Sequence, residues 1–231
     1  CDVAILPIEN SYAGDVGTVM DLIFSGSLFI NQILDLDVVH HLIGTVDASI
    51  DTIKTVYSHP QALSQCSDYL KIHHFKEVEY ANTALAAKEI AKLNDNTIAS
   101  IASVDTAELY GLKVIESNIN TTRNNTTRFV ALSRSQNLPD ALTKMGEHFI
   151  LVFTVKNEAG ALANTLNIIG AHGFNMRTLR SRPMKELLWN YYFYVELDGN
   201  INSEDGKDML IQLRTVCDRL KLVGTYRSNM L

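Results

Sequence analysis

The sequence predicts an α/β protein in which strands and helices alternate to build a doubly wound parallel sheet, followed by a smaller α+β unit of βαββαβ order. Three observations predict it. Short apolar runs rich in Val and Ile alternate with helical patterns through the first part of the chain, as in a buried sheet wound with helices. A polar stretch from Ser133 to Gly146, carrying Pro139 and lacking periodicity, interrupts that alternation and marks a boundary. Beyond it the pattern changes to strand, helix, two strands, helix and strand. The expected division is residues 1–134, a linker at 135–146, and residues 147–231.

Val3-Ala4-Ile5-Leu6-Pro7-Ile8 reads as a buried strand that releases Glu9, Asn10 and Ser11 into a Gly-containing loop, Tyr12 to Gly17. Open α/β sheets bind ligands at the carboxyl ends of their strands, so these three are site candidates; a helix cap and turn is the alternative. Thr18 to Phe24 predicts a helix stopped by Ser25-Gly26, Leu28 to His41 a long strand, and His41 to Val46 a second one. Thr55-Val56-Tyr57 runs as a strand into Ser58, read as the N-cap of a helix with Pro60 near its first turn. That start sets free N–H groups at a strand's carboxyl edge, where an anion can bind. Gln61 and Gln65 share one helical face, and Cys66 lies on the apolar face with Ala62, Leu63 and Leu70.

Val78 to Tyr80 is the next strand, and Thr83 is read as the N-cap of an Ala-rich helix. Thr97 to Ala102 is a strand, Val104 to Leu109 a helix closed by Gly111, and Leu112 to Ile115 a strand. Ser58, Thr83 and Ser103 therefore stand at turns that would share one sheet edge. The run Asn124-Asn125-Thr126-Thr127-Arg128 then leads into Phe129-Val130-Ala131-Leu132. Two hydroxyls beside a guanidinium suit a small polyoxygenated acid, whose carboxylate and hydroxyl they can bind. An Asn/Thr-rich turn capped by its own side chains is the alternative.

In the last part, His148 to Val155 is a strand, and Ala159-Gly160-Ala161-Leu162 opens a helix running to Ala171. Asn175 to Pro183 and Trp189 to Leu197 are strands, Ser203 caps a helix through Leu220, and Leu222 to Tyr226 is the last strand. The order is that of a ferredoxin-like split sheet. So small a sheet leaves edges to cover, which favours a homo-oligomer.

Composition limits the function classes. The 231 residues carry a formal net charge of -6 with no Lys/Arg-rich run, which disfavours nucleic acid or an anionic membrane as partner. No apolar stretch is long enough to span a bilayer, and no signal peptide is visible. Cys1, Cys66 and Cys217 are too widely spaced for a metal or disulfide framework and read as free thiols in a reducing compartment, hence a cytoplasmic protein. The pairs His40-His41 and His73-His74 make no chelate alone, because neighbours on a strand point to opposite faces. No metal site is expected.

Leu6-Pro7-Ile8-Glu9-Asn10-Ser11, Tyr57-Ser58-His59-Pro60-Gln61-Ala62-Leu63-Ser64-Gln65-Cys66, Thr83 with Ala86-Ala87, and Asn125-Thr126-Thr127-Arg128-Phe129 together resemble the signature segments of prephenate dehydratase, in order. Gly160-Ala161-Leu162 and Ser181-Arg182-Pro183 resemble elements of the ACT regulatory domain that follows in that family. The resemblance implies a two-lobed catalytic domain of periplasmic-binding-protein type with substrate in its cleft. It also implies a cofactor-free decarboxylating dehydration of prephenate to phenylpyruvate, toward phenylalanine.

By motif match Thr127 is the expected donor to the leaving hydroxyl. Glu9, Asn10, Ser11, Ser58, Gln65, Thr83, Thr126 and Arg128 are expected to bind or orient substrate, Arg128 by pairing with a carboxylate or by bracing its loop. Gly160, Ala161, Leu162, Ser181, Arg182 and Pro183 are expected to bind L-phenylalanine as effector, in a homodimer or tetramer. Arg180 departs from the family pattern, which has an acidic residue before Ser-Arg-Pro. The chain also starts without the Gly-rich first strand and loop of such a domain, and without a chorismate mutase segment, so an N-terminally truncated monofunctional enzyme is expected. Arogenate as substrate and a non-catalytic phenylalanine sensor are the alternatives.

Overall fold

The computed structural model describes residues 1–122, 125–139, 147–185 and 190–227. In chain order the elements are β1 (Val3–Asn10), β2 (Gly14–Asp15), α1 (Gly17–Ser25), β3 (Phe29–Asp37), β4 (His41–Gly44), β5 (Thr55–Ser58), α2 (Pro60–Gln65), α3 (Ser67–Ile72), β6 (Lys76–Glu79) and α4 (Thr83–Leu93). They continue with β7 (Ile98–Ala102), α5 (Val104–Tyr110), β8 (Lys113–Glu116), β9 (Thr126–Ser133), β10 (Glu147–Thr154), α6 (Ala161–Ala171), β11 (Met176–Pro183), β12 (Tyr191–Asp198), α7 (Glu204–Val216) and β13 (Arg219–Arg227). The chain forms two compact units, one of residues 1–36 with 127–231 and one of residues 37–126. The expected linker falls mostly on residues 140–146, and Asn124 and Trp189 also lie outside the described residues.

The first unit holds an eight-stranded sheet in the order β11-β12-β10-β13-β3-β9-β1-β2. Its inner strand β10, Glu-His-Phe-Ile-Leu-Val-Phe-Thr, is buried at every position. Strand alternation explains this. Phe149, Leu151 and Phe153 pack with Ile169 of α6 and Met209 and Leu213 of α7. Ile150 and Val152 face the other way, among Tyr192, Tyr194, Ile8, Val130 and the α1 residues Val19, Met20 and Ile23. A strand apolar on both faces is the expected signature of a layer covered twice. Burying each such side chain contributes about 1.5–3 kcal/mol.

Elements β10 to β13 have the βαββαβ order expected, with antiparallel neighbours throughout. The boundary between the last helix and the last strand differs most. The last helix stops at Val216 rather than Leu220, because Cys217 is extended, and Leu220 and Leu222, two apart, place their side chains on the core face of β13. One edge of this small sheet is covered within the chain, by a parallel pairing of Gly224 in β13 with Ile30 in β3.

The second unit holds a five-stranded sheet in the order β6-β5-β7-β4-β8. Strand β5 is parallel to β6 and β7, but β4 runs antiparallel to β7 and β8. The sheet is mixed, which corrects the all-parallel expectation. β4 and β5 are not adjacent but are joined by a loop without a helix, so the chain re-enters the sheet at the edge where β4 ends and the two strands run in opposite directions. The expected strands Leu28 to His41 and His41 to Val46 are β3 and β4, but the first ends at Asp37: beyond it the Val38 N–H bonds to the Asn125 carbonyl and the His40 N–H to Asn120 Oδ1. The core of this unit contains Leu42, Val56, Leu63, Leu70 and Ile101, with Cys66 among them as expected. Burial pushes the Cys66 thiol up to about 12, so it is an inert core group.

The junction of β13 with β3 has no room for a side chain. A Cβ on Gly224 would stand 1.9 Å from the Ile30 carbonyl oxygen. Gly224→Ala is therefore expected to lower the stability of the first unit by about 2 kcal/mol or more, as overpacking of a tight contact does, measured by urea unfolding; an unchanged midpoint would show that the strands separate at no cost.

Candidate functional site

Thr127, the residue predicted to donate, lies in β9 directly opposite Asn10 of β1. Asn10 is 8% exposed. Its Oδ1 accepts hydrogen bonds from the Tyr12 and Ala13 backbone N–H groups, at 3.0 and 2.8 Å, which is the side-chain-capped turn chemistry of asparagine. Two donors on one atom identify that atom as the oxygen and direct the NH2 the other way. The NH2 donates to Thr127 Oγ1 at 2.9 Å. An amide nitrogen cannot accept, so the threonine oxygen is the acceptor in this pair and its own proton is left to point elsewhere. A hydroxyl so held is a positioned hydrogen-bond donor. A β-bulge between Pro7 and Glu9 sets the register that makes Asn10 and Thr127 partners.

The neighbours of these residues are engaged with one another. Arg128 makes a two-point pair with Asp35 of β3, Nε to Oδ1 at 2.8 Å and Nη2 to Oδ2 at 3.0 Å, and its Nη1 is 3.8 Å from Glu196. The Asp35 hydrogen bond raises the Arg128 pKa still further, and Arg128 holds the Asp35 carboxyl below the usual carboxylate range. Of the two roles expected of Arg128, the described side-chain contacts are those of a brace. Glu9 pairs with Arg180 of β11, and Ser11 lies exposed in the turn that Asn10 caps. Thr126 falls in the second unit, where its hydroxyl donates to Asp37 at 2.6 Å. Asp35 and Asp37 escaped the sequence reading, although two carboxylates two apart on one strand share a face and could have signalled partners for Thr126 and Arg128.

In the second unit the carboxyl ends of the parallel strands β6, β5 and β7 bring Thr83, Ser58 and Ser103 to one edge, as expected. Their capping roles differ from the expectation. His59, not Ser58, is the N-cap of α2, through its Nδ1, and Asn82, not Thr83, caps α4 by accepting from the Leu85 N–H at 2.7 Å. Ser58 is fully buried, and its hydroxyl donates to the Ile101 carbonyl at 2.8 Å, tying β5 to β7. Asn82 precedes the half-buried Thr83 and has an amide oxygen free of a Cβ methyl, which makes it the better cap. Gln65 is 4% exposed, and its Oε1 lies 2.7 Å from His40 Nε2. That contact fixes a proton on Nε2, and burial lowers the His40 pKa.

The residues expected to bind an effector lie in the first unit. Gly160 is the left-handed N-cap of α6 at φ 82°, with Ala161 and Leu162 opening the helix. Leu162 lines a cavity of about 110 Å³ with Val155, Glu158, Tyr191 and Phe193. Pro183 lines a different one, of about 570 Å³, with Asp21, Phe24, Tyr192 and Arg219. Ser181 is exposed on β11. Arg182 turns inward to Asp21, which Lys185, Tyr192 and Arg182 together hold below its usual pKa. Within one chain, then, Leu162 of one expected group and Pro183 of the other line separate cavities.

His40 and His41 are both lowered by burial from 6.5. Below that value the unfolded chain binds more protons than the folded one, so the stability of the second unit falls as pH drops through the lowered folded values. The urea midpoint should fall between about pH 7.5 and about pH 5, and His40→Gln, whose amide still reaches Gln65, should shrink that fall; an equal fall in the variant would place the acid sensitivity elsewhere.

Comparison with known proteins bears on these residues. Residues 1–137 match the family model for prephenate dehydratase. A bifunctional chorismate mutase/prephenate dehydratase of Buchnera aphidicola is 34% identical over 98% of this chain and 59% of its own length. The chain thus spans about three fifths of that relative. Among solved structures, GqqA, described as a novel type of quorum quenching acylase, has a TM-score of 0.88 at 27% identity, covering 100% of this chain and 83% of that one. Prephenate dehydratase of Arthrobacter aurescens in complex with L-Phe has a TM-score of 0.86 at 27% identity, covering 98% and 75%. With its signature strands, the Asn10–Thr127 pair and the family match all falling in the same residues, the chain belongs to the prephenate dehydratase family.

Proposed function

We propose that the chain carries the dehydratase chemistry of its family, converting prephenate to phenylpyruvate, CO2 and water in phenylalanine biosynthesis. The observation that carries this is the Asn10–Thr127 hydrogen bond, which makes Thr127 an acceptor to Asn10 and so frees its proton for a departing hydroxyl. The reaction needs little more. As the ring carboxylate leaves as CO2, its bonding electrons form the aromatic ring and expel the hydroxyl, which takes up a proton, supplied in net terms by solvent, to become water. A neutral donor at that oxygen lowers the barrier by hydrogen bonding without itself becoming ionic. No cofactor is required for such a step.

Thr127 is the proposed catalytic residue. Glu9, Asn10, Ser11, Thr126 and Thr83 are proposed to bind or orient substrate. Ser58 and Gln65 enter as orienting groups, given their burial and their bonds to Ile101 and His40. Arg128 is proposed to brace β9 through Asp35 while contributing positive charge toward a carboxylate. The proposed organisation is a two-lobed catalytic domain over 1–134 and an ACT domain over 147–231, in a cytoplasmic homodimer or tetramer. L-phenylalanine is the proposed effector, at Gly160-Ala161-Leu162 and Ser181-Arg182-Pro183, supported by the L-Phe complex of the Arthrobacter relative.

The likeness to GqqA raises a second reading, acyl hydrolysis. A threonine nucleophile needs a base within hydrogen-bond reach. The group bonded to Thr127 is an amide NH2, which takes no proton. Dehydration therefore fits better.

Phenylpyruvate formation from prephenate, followed by absorbance beside arogenate and an N-acyl amide substrate, tests the assignment. Prephenate turnover that falls by about a hundredfold or more in Thr127→Ala is expected, the range for a positioned proton donor. Turnover of arogenate or the N-acyl substrate instead, or binding of phenylalanine with no turnover, would overturn it.

A further inference from the structure

Arg180, the residue that departs from the family pattern, has a defined place in the first unit. It is paired with Tyr194 across β11 and β12, and its guanidinium carbon stands 5.8 Å from the centre of that ring. Its side chain is only 15% exposed. Strand alternation explains its direction, since β11 half-buries every second residue and Arg180 is one of them. From there the guanidinium reaches two carboxylates at once, Glu9 through Nη2 and Asp15 through Nε at 3.1 Å. Those two residues are directly opposite each other, Glu9 on β1 and Asp15 on β2.

Like charges facing each other across a strand pair push the strands apart. A single cation bridging both removes the repulsion and closes the base of the hairpin. The turn inside that hairpin is the one capped by Asn10, whose NH2 holds Thr127. A planar fork with donors in two directions can do this, and an ammonium cannot match both positions.

We propose that Arg180 is a positioning residue for Thr127, acting through the Glu9–Asp15 hairpin and Asn10. The inference rests on the dehydratase function proposed above and adds a regulatory consequence. Arg180 adjoins Ser181-Arg182-Pro183, so whatever shifts β11 also loosens or tightens the grip on the hairpin. The residue that breaks the family pattern thereby ties the proposed effector strand to the proposed donor.

The test compares the parent with Arg180→Gln, Arg180→Lys, Asp15→Asn and the Arg180→Gln/Asp15→Asn pair. Arg180→Gln should lower kcat by about tenfold or more, the scale of a misplaced catalytic group, with KM changed less. Arg180→Lys should fall between that variant and the parent. Adding Asp15→Asn to Arg180→Gln should restore much of the loss, because it removes the facing charge; a purely structural arginine would gain nothing from that change. Amide hydrogen exchange at Tyr12 and Ala13, which needs no substrate, should quicken in Arg180→Gln and slow again in the pair. Parent-like kcat and exchange in Arg180→Gln would overturn the proposal, as would a loss that Asp15→Asn leaves untouched. A parent without dehydratase activity would defeat the functional assignment alone, while the exchange data would still decide whether Arg180 holds the turn.

Discussion

The interaction on which the candidate site depends is the hydrogen bond from the Asn10 amide to the Thr127 hydroxyl. It exists only because β1 and β9 pair in a register that sets these residues opposite each other, and because a bulge after Pro7 brings that register about. Two backbone N–H groups settle which way the amide faces. A side chain bound at both ends has little rotational freedom left, so the threonine oxygen is held where strand pairing puts it. In the proposed reaction this hydroxyl would be a donor positioned before any ligand arrives, the condition under which a neutral group is effective.

Around that bond, opposite charges on separate strands tie the pieces of the first unit together. Arg128 pins β9 to Asp35 of β3, Glu196 of β12 lies close to the same guanidinium and accepts a hydrogen bond from Tyr226, and Arg180 of β11 grips Glu9 and Asp15. Arg180 and Glu196 are largely buried, where screening by solvent is weaker than for surface pairs, whereas Asp35 is exposed and its pair with Arg128 is more open to screening. The same sheet face also carries Tyr192 and Tyr194, packed against α1 and β1. Apolar burial supplies the adhesion, and the ion pairs select which strand sits where. The C-terminal βαββαβ sheet is thus bound to β1, β3 and β9 by both kinds of contact.

Much of this was legible in the sequence. The apolar alternation of β10 and the turn chemistry at Ser203, Ser103 and Gly111 located those elements, and the motif containing Thr127 pointed to the residue that Asn10 holds. Three things were not legible. The direction of β4 depends on which strand it meets, a long-range matter that local pattern does not carry, so the sheet was taken as wholly parallel. Ser58 and Thr83 are good capping residues by type, but the residue after one and the residue before the other had the better-placed acceptor. Asp35 and Arg180 looked like ordinary charges or an oddity, because an ion pair between residues far apart in the chain leaves no local trace.

The most direct measurement of the central claim, that Asn10 acts through Thr127, is a double-mutant cycle on prephenate turnover with Asn10→Ala, Thr127→Ala and both together. The account predicts that each single change lowers kcat and that the double variant has a kcat no lower than Thr127→Ala, since the part of Asn10 in the chemical step runs through that hydroxyl, any contact of its own with substrate being read in KM. Losses that multiply in the double variant would contradict it and make Asn10 an independent contributor to the reaction.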